Sequence, residues 1–229
     1  MLYRLTTYHV QLTNLEAFRR EREDHAWPVL GRRGAVPLGL WRVLMGGRPT
    51  DVLEMVRFES LTHWAEVTNA GIDDRPSCPP ITEIALRPVS RRHPGGQPQP
   101  VAAGSVWALH RFVPQSGQHG RLVELSEDPF WPLAQRDGRQ FTLGQFHTHV
   151  AEQDAIYVLT YYASLADWED TRAHTNIFRL TAPTEEQQTA KAAGEERARL
   201  LDDAGVCLLW PLSRRVPMRE SCVEMGECC

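Results

Sequence analysis

Residues 52–64, VLEMVRFESLTHW, recur in this chain of 229 residues as residues 156–168, IYVLTYYASLADW. The Ser-Leu-x-x-Trp that both stretches share returns after 104 residues, from Ser60 to Ser164. The same step relates three further landmarks: Trp27-Pro28 and Trp131-Pro132, Gly34 and Gly138, and Tyr8 and Phe112. A repeat of this length is far too long for a solenoid unit, so the chain is a tandem duplication of one domain.

Both copies of this stretch indicate a buried strand that leads directly into a helix. A run of β-branched, aromatic and aliphatic residues ends at a serine, and a helical pattern containing a tryptophan follows. We expect Ser60 and Ser164 to be N-caps, because a serine hydroxyl accepts a hydrogen bond from the first free N–H groups of a helix.

The first copy is predicted to have the element order β-α-β-β-α-β. This is the ferredoxin-like arrangement, an antiparallel sheet with two helices on one face. Its strands are predicted at residues 2–10, 36–44, 52–58 and 81–89, and its helices at 13–33 and 60–71, with a Gly46-Gly47 hairpin turn. The second copy has strands at 105–113, 141–150, 155–162 and 206–212, and helices at 119–134, 164–174 and 184–204.

The predicted fold class is therefore α+β, with two ferredoxin-like domains in tandem. The domains cover residues 1–90 and 104–216, joined by a Pro- and Gly-rich linker at 91–103 and followed by a flexible, Cys-containing tail at 217–229. Strands such as 36–44 and 156–162 are too apolar to face water. We expect the two sheets to cover each other as a pseudo-dimeric α/β barrel or sandwich.

Bulk composition excludes several classes of function. The net charge of −4 and pI near 6.1 give no basic surface for nucleic acid or for an anionic membrane. No stretch approaches the roughly 20 apolar residues of a membrane span, and the N-terminus lacks a signal-peptide pattern. The five cysteines are odd in number and three of them lie in the last eight positions, which argues against a disulfide framework. We expect a cytoplasmic protein.

Three segments resemble the NIPSNAP family of the dimeric α/β-barrel superfamily. They are the opening LYRLTTYHV, the Gly39-Leu40-Trp41 strand and residues 56–61, VRFESL. The resemblance covers residues 2–70 and is echoed over 105–170, although the second copy has Tyr161-Tyr162-Ala163 where the first has Arg57-Phe58-Glu59. It implies mainly a fold. The wider superfamily includes cofactor-free oxygenases, haem-binding enzymes, isomerases and small-molecule sensors, with sites between the sheet and the helices.

The strongest local motif for a metal is His147-Thr148-His149. Residues i and i+2 of a strand point to the same face, so both imidazoles would project together towards Zn, Cu or Fe. Candidate third ligands are His110, Asp154 and His174. The alternative is a solvated strand end beside a hairpin turn, with no cofactor.

Arg57 and Tyr157 are the other candidate catalytic residues, together with His147 and His149. Arg57 lies in an apolar strand and needs a partner, which is Glu54, Glu59 or an anionic ligand. Tyr157 offers a phenol in the second copy. The alternatives are a structural ion pair for the arginine and simple packing for the tyrosine.

The C-terminal tail carries Cys222, Cys228 and Cys229, whose thiols could bind a soft metal such as Cu(I) or Zn or take part in redox exchange. A reduced tail without function is the alternative.

Two functions follow from these features. The first is an enzyme that acts on a hydrophobic or aromatic metabolite in a pocket between sheet and helices, with metal assistance as an option. The second is a noncatalytic ligand-binding or adaptor protein with a metal- or redox-responsive Cys tail. Both imply a small-molecule ligand and an intramolecular pseudo-dimer, with further homodimerisation left open, and neither involves nucleic acid or a membrane span.

Overall fold

A computed structural model describes residues 1–70, 78–90, 92–94, 99–136, 138–150, 154–172 and 184–216. The first copy contains β1 (Leu2–His9), a 3₁₀ turn (Leu12–Asn14), α1 (Leu15–Arg20), a π-helical segment (Glu21–Ala26), α2 (Trp27–Arg32), β2 (Val36–Met45), β3 (Asp51–Phe58), α3 (Leu61–Asn69) and β4 (Pro80–Pro88). Among the described residues, no helix combines the length and the apolar character needed to cross a membrane.

The second copy repeats this order and adds one helix. It contains β5 (Gln99–Pro100), β6 (Val106–Pro114), α4 (His119–Leu125), a π-helical segment (Ser126–Phe130), α5 (Trp131–Ala134), β7 (Gln140–Val150), β8 (Ile156–Tyr162), α6 (Leu165–Arg172), α7 (Thr184–Arg199), β9 (Leu201–Pro211) and β10 (Arg215–Val216). In both copies the Trp-Pro pair begins a short helix, but the segment before it, which is continuous in the first copy, is kinked at Asp128 in the second.

Eight strands form one closed antiparallel barrel in the order β1-β3-β2-β9-β6-β8-β7-β4. Within each copy the strands follow the ferredoxin-like order, with the first strand between the third and the fourth. The two copies meet along two equivalent seams, β2 with β9 and β4 with β7, each of which joins a second strand to a fourth strand. The prediction of a pseudo-dimeric α/β barrel is confirmed, and closure leaves no unpaired edge in the barrel.

The inside of the barrel is filled by side chains from both copies. The buried cluster there includes Trp41, Trp107, Tyr3 and Phe146, and the two tryptophan rings lie 6.4 Å apart. In both second strands an aromatic ring lies back over a glycine two positions earlier, so that a Cβ on Gly39 would come within 2.5 Å of the Trp41 ring. The barrel interior is therefore a packed core.

Local signals in the sequence explain several element boundaries. The Ser60 hydroxyl accepts a hydrogen bond from His63 N at 3.0 Å, and the Ser164 hydroxyl accepts one from Asp167 N at 3.1 Å, so both predicted N-caps are confirmed. The β2–β3 turn requires glycine at Gly46, where φ is +82° and a Cβ would collide with the Val206 carbonyl oxygen.

One predicted boundary is wrong. The helix expected at residues 184–204 ends at Arg199, and β9 begins at Leu201, five residues before the predicted strand. The pairing of Ala204 with Phe112 and of Gly205 with Arg111 on β6 places these residues in the barrel, which overrides their local helical pattern. The domain boundaries at 90, 103 and 216 stay predictions, and the tail at 217–229 lies outside the described residues.

The outer face of the first-copy sheet carries a buried ionic network beneath its helices. Glu54 is fully buried and accepts hydrogen bonds from Arg22 Nε (3.0 Å), Tyr8 Oη (3.0 Å) and Trp27 Nε1 (2.6 Å), with Arg4 Nη2 at 3.7 Å. Burial raises the pKa of Glu54, but Arg22, Arg4 and the hydrogen bonds outweigh it, so the net pKa is lowered. This network fastens the helical segment of residues 12–32 to the sheet.

We expect Glu54→Gln to lower the free energy of unfolding by about 3–5 kcal/mol, because it removes the buried negative charge that pairs with Arg22 and Arg4. Since the pKa of Glu54 is lower in the folded state, its stabilisation is present above the unfolded carboxyl pKa of about 4.3 and is lost as the pH falls through the folded value. Urea unfolding at pH 7 and in the acid range measures both effects. The matched control, Glu16→Gln, removes the charge of an exposed carboxylate, and Arg19 keeps Glu23 as a partner, so stability should change little. Equal losses in the two variants would contradict the role given to the network.

Candidate functional site

A cavity of about 250 Å³ lies in the second copy, between the outer face of β6, β7 and β8 and the helices above it. Its volume is just under the usual lower bound of roughly 300 Å³ for small-molecule sites, which suits a compact ligand. One wall is aromatic and consists of Phe112, Phe130 and Trp131. The sheet contributes polar side chains, namely His110, Gln140, Thr142, Thr160 and Tyr162.

The cavity exists because the two copies have diverged at equivalent positions. The network of the first copy is built on Glu54, and the residue 104 positions later is Val158 in the cavity wall. Arg22 corresponds to Ser126, whose hydroxyl donates to Leu122 O at 2.6 Å instead of reaching the sheet. Smaller and neutral side chains thus leave empty, partly polar space where the first copy has a salt bridge.

Arg197 of α7 is the charged residue of this cavity. Its guanidinium lies 4.3 Å from the ring centre of Phe130, 5.7 Å from that of Phe112 and 6.0 Å from that of Trp131. The Nε atom is buried without a hydrogen-bond partner, and within the described ranges no carboxylate forms an ion pair with Arg197. Burial lowers the pKa of Arg197 to about 10, so the side chain remains cationic at neutral pH.

The sequence contains a signal for Arg197 that our prediction missed. Ala190 and Ala193 are buried, and with Gly194 and Arg197 they follow the i, i+3, i+4, i+7 spacing of one helix face. Gly194 faces the same wall, since a Cβ there would lie in ordinary contact with the Phe130 ring, at 3.5 Å. An arginine on a stripe of small residues in a highly charged helix indicates a cation directed towards the protein.

The polar side of the cavity is held in place by strand pairing. Thr142 and Thr160 are direct partners across β7 and β8, and both are buried. Gln140 donates to Ala134 O at 2.6 Å, which fixes the start of β7 against the end of α5. The His110 ring stacks on Phe112 with ring centres 5.7 Å apart, so a titratable imidazole borders the aromatic wall.

The structure places the predicted histidines in two different groups. His110 lines the cavity, whereas His147 lies with Asp154 and His119 at the far end of the same sheet face, where the ligand atoms are within 4.8 Å of one another. His149 does not belong to this group. Leu86 pairs with Thr148 and Ala85 with Val150, so β7 has an extra residue at His149 and the expected alternation of faces is broken.

Arg57 and Tyr157 lie on the inner face of the barrel, away from the cavity. Arg57 is beside Tyr3 and donates to Pro94 O at 3.3 Å; Glu54, one of its predicted partners, lies on the opposite face of β3 and pairs with Arg22 instead. Tyr157 packs against the interior cluster, where burial raises its pKa against the opposing effect of Arg111. The remaining candidates lie outside the described residues: His174, Cys222, Cys228 and Cys229.

No protein-family model and no curated protein matches this sequence. Solved structures share its fold over nearly the whole chain. A protein from Lactobacillus acidophilus, provisionally named a monooxygenase, is 8% identical, with a TM-score of 0.58 and coverage of 95% of this chain and 99% of that chain. A Fusobacterium nucleatum protein, also provisionally named a monooxygenase, is 9% identical, with a TM-score of 0.59 and 95% coverage of both chains. At these identities the similarity shows the fold alone.

Two further groups of solved structures bear on the predicted resemblance. A haem-binding protein from Thermus thermophilus is 11% identical and has a TM-score of 0.50, with coverage of 93% of this chain and 91% of that chain. NIPSNAP proteins also match, among them one from Agrobacterium tumefaciens that is 17% identical over 47% of this chain and 85% of its own, but its TM-score is 0.37. The dimeric α/β-barrel fold is thus confirmed, and the NIPSNAP resemblance remains one of sequence motifs.

We expect the two buried arginines to differ in their contribution to stability. Arg197→Met should change the free energy of unfolding by less than about 1 kcal/mol, because the loss of its ring contacts is offset by the removal of a desolvated charge that forms no ion pair with the described carboxylates. Arg22→Met should lower the free energy of unfolding by about 3–5 kcal/mol, because it removes the cation that donates two hydrogen bonds to the buried Glu54 carboxylate. Urea unfolding at pH 7 measures both. A loss for Arg197→Met as large as that for Arg22→Met would mean that Arg197 has a structural counter-charge.

Proposed function

We propose that this protein is a small-molecule enzyme whose substrate is a compact aromatic metabolite with an anionic group, bound in the cavity of the second copy. The observation that carries the proposal is Arg197, a cation held over an aromatic-lined cavity with no carboxylate partner among the described residues. Leaving a charge partly buried and unpaired is costly, and a ligand carboxylate would remove that cost.

The walls of the cavity favour an aromatic body for this ligand. Phe112, Phe130 and Trp131 offer ring surfaces on one side, and Thr142 and Thr160 offer hydroxyl groups on the other. Flat ligands gain from offset or edge-to-face contacts with such rings, while two hydroxyls fix the orientation of a polar substituent. The cavity volume restricts the ligand to one or two rings.

His110 is the side chain of this cavity that we assign to proton transfer. Imidazole changes its protonation near neutral pH, and His110 borders both the aromatic wall and the polar side chains. In the proposed step a ring nitrogen of His110 takes a proton from a phenol or from an activated carbon of the bound substrate, which leaves the substrate as an anion that Arg197 stabilises.

The fold is compatible with an enzyme that transfers a proton from a small aromatic substrate, although the fold alone does not determine the reaction. The two similar proteins from Lactobacillus acidophilus and Fusobacterium nucleatum carry provisional monooxygenase names, and such names support small-molecule chemistry in this fold without assigning it to this chain. Arg57 and Tyr157 have no place in the proposed step, because they face the barrel interior.

We expect aromatic carboxylates such as benzoate and salicylate to bind, and neutral benzyl alcohol of similar size to bind more weakly. Arg197→Met should weaken binding of the carboxylates by about 10- to 100-fold, the value of one charge-assisted contact, and leave benzyl alcohol unaffected. The matched control is Arg199→Met, an exposed arginine on the same helix, which should bind like the wild type. Isothermal titration calorimetry measures all three proteins, and benzoate affinity that survives Arg197→Met would contradict the proposal.

Turnover distinguishes an enzyme from a binding protein. We expect hydroxylated aromatic acids incubated with the protein in air to give a product detectable by mass spectrometry, and His110→Ala to abolish turnover while the dissociation constant changes little. The rate should fall as the solution becomes more acidic, because only a neutral imidazole accepts a proton. Binding of the same acids without turnover would favour the noncatalytic ligand-binding protein instead.

A further inference from the structure

Three side chains from separate elements converge at the end of the second-copy sheet, outside the cavity. His119 is the first residue of α4, His147 lies on β7 and Asp154 stands just before β8. Asp154 Oδ1 is 2.5 Å from His147 Nε2, and its Oδ2 is 3.1 Å from His119 Nε2. The two imidazole rings meet edge to face with centres 4.9 Å apart, and both Nε2 atoms lie close to one carboxylate.

The contact of His119 is not satisfied as a hydrogen bond. Its Nε2 atom is sealed from solvent and has no partner in hydrogen-bond geometry, although it lies close to Asp154. A buried ring nitrogen without a hydrogen bond is costly, and it would be satisfied by coordination to an ion placed between the three groups. This orphaned atom is independent of the clustering itself.

The donor set matches a known coordination chemistry. Two imidazole nitrogens and one carboxylate oxygen form the facial set that binds non-haem Fe²⁺, and histidines with a carboxylate also bind Zn²⁺ with a position left open. Ligands about 2.1 Å from such an ion lie roughly 3–3.5 Å apart, so Asp154 must move away from His147 by less than about 1 Å. Asp154 is 61% exposed, so its side chain has room to move.

We propose that His119, His147 and Asp154 form a binding site for a divalent first-row transition ion, Zn²⁺ or Fe²⁺. His147 and Asp154 were predicted as ligands from the sequence, whereas His119 takes the place given there to His149. The site is separate from the aromatic cavity, because none of its three residues lines that cavity. Along the sheet, one strand lies between them: His147 is paired with Ile156, and Ile156 with Phe112 of the cavity wall. The proposal therefore stands or fails independently of the proposed function.

The test measures metal binding to untagged, full-length protein in which Cys222, Cys228 and Cys229 are replaced by serine, so that tail thiols do not contribute. Equilibrium dialysis uses Zn²⁺ and, under argon, Fe²⁺, and Co²⁺ serves as a spectroscopic probe through its visible absorption bands. We expect one ion per chain, and Co²⁺ bands of a low-coordinate nitrogen and oxygen site without the intense charge-transfer band of a thiolate.

Single substitutions assign the ligands. His119→Ala, His147→Ala and Asp154→Asn should each weaken Zn²⁺ binding at least 10-fold, because each removes one of three ligands. His149→Ala is the matched control on the same strand, and His110→Ala is the control in the cavity; neither should change the affinity. Circular dichroism and urea unfolding confirm that the variants are folded.

The pH dependence adds a second readout. Affinity should fall as the solution becomes more acidic, because protons compete with the ion for its ligand atoms. No stoichiometric ion in the serine-substituted protein would overturn the proposal. Loss of the ion in His149→Ala but not in His119→Ala would also overturn it, and would restore the His-x-His pair as the binding unit.

Discussion

A four-stranded sheet with helices on one face only has two demands that it cannot meet alone in water: an apolar second face and two unpaired edges. The second strand of each copy pairs with the fourth strand of the other copy. These two pairings leave no unpaired edge and cover the apolar faces. The apolar faces become the inside of a closed barrel, and Trp41 and Trp107 from different copies fill it. Every other feature depends on this closure, because a filled barrel leaves only the outer faces for chemistry.

Duplication gives the protein two equivalent sheet faces on the outside of the barrel, and only one of them needs to stabilise the fold. In the first copy the Arg22–Glu54 pair is buried with Tyr8 and Trp27, and both of these side chains donate hydrogen bonds to the Glu54 carboxylate. In the second copy Val158 replaces the carboxylate, and the space that is gained forms a cavity lined by polar and aromatic residues. The first copy stabilises the fold, and this allows the second to carry groups that do not stabilise it.

The sequence specifies the fold well because the signals for it are local. The alternation along the strands and the serines at positions 60 and 164 determine structure within a few residues of themselves, and the 104-residue repeat shows that these local signals occur twice.

The end of α7 was missed because it is determined by the pairing of β9 with β6, a contact across some 90 residues. His119 was missed for the same reason, since no neighbouring residue in the sequence indicates that its ring contacts His147. The one-residue bulge at His149 likewise cannot be predicted from the alternation of apolar and polar residues along β7. Arg197, by contrast, could have been found from its helical spacing to Ala190 and Ala193.

Arg22 and Arg197 reach a helix–sheet space from helices of opposite copies, and the difference between them is the strongest argument about function. A buried cation whose counter-charge is part of the chain contributes to folding, and its loss is felt as instability. Arg197 is held against three aromatic rings, and the part of the chain that the structure describes gives it no such counter-charge. It therefore contributes little to folding, and a bound ligand would offset the electrostatic cost of its desolvation. A ligand carboxylate in the second copy would have the position and the role that the Glu54 carboxylate has in the first. The binding of that ligand would then be coupled to the stability of the domain, since any molecule that binds only the folded state stabilises it.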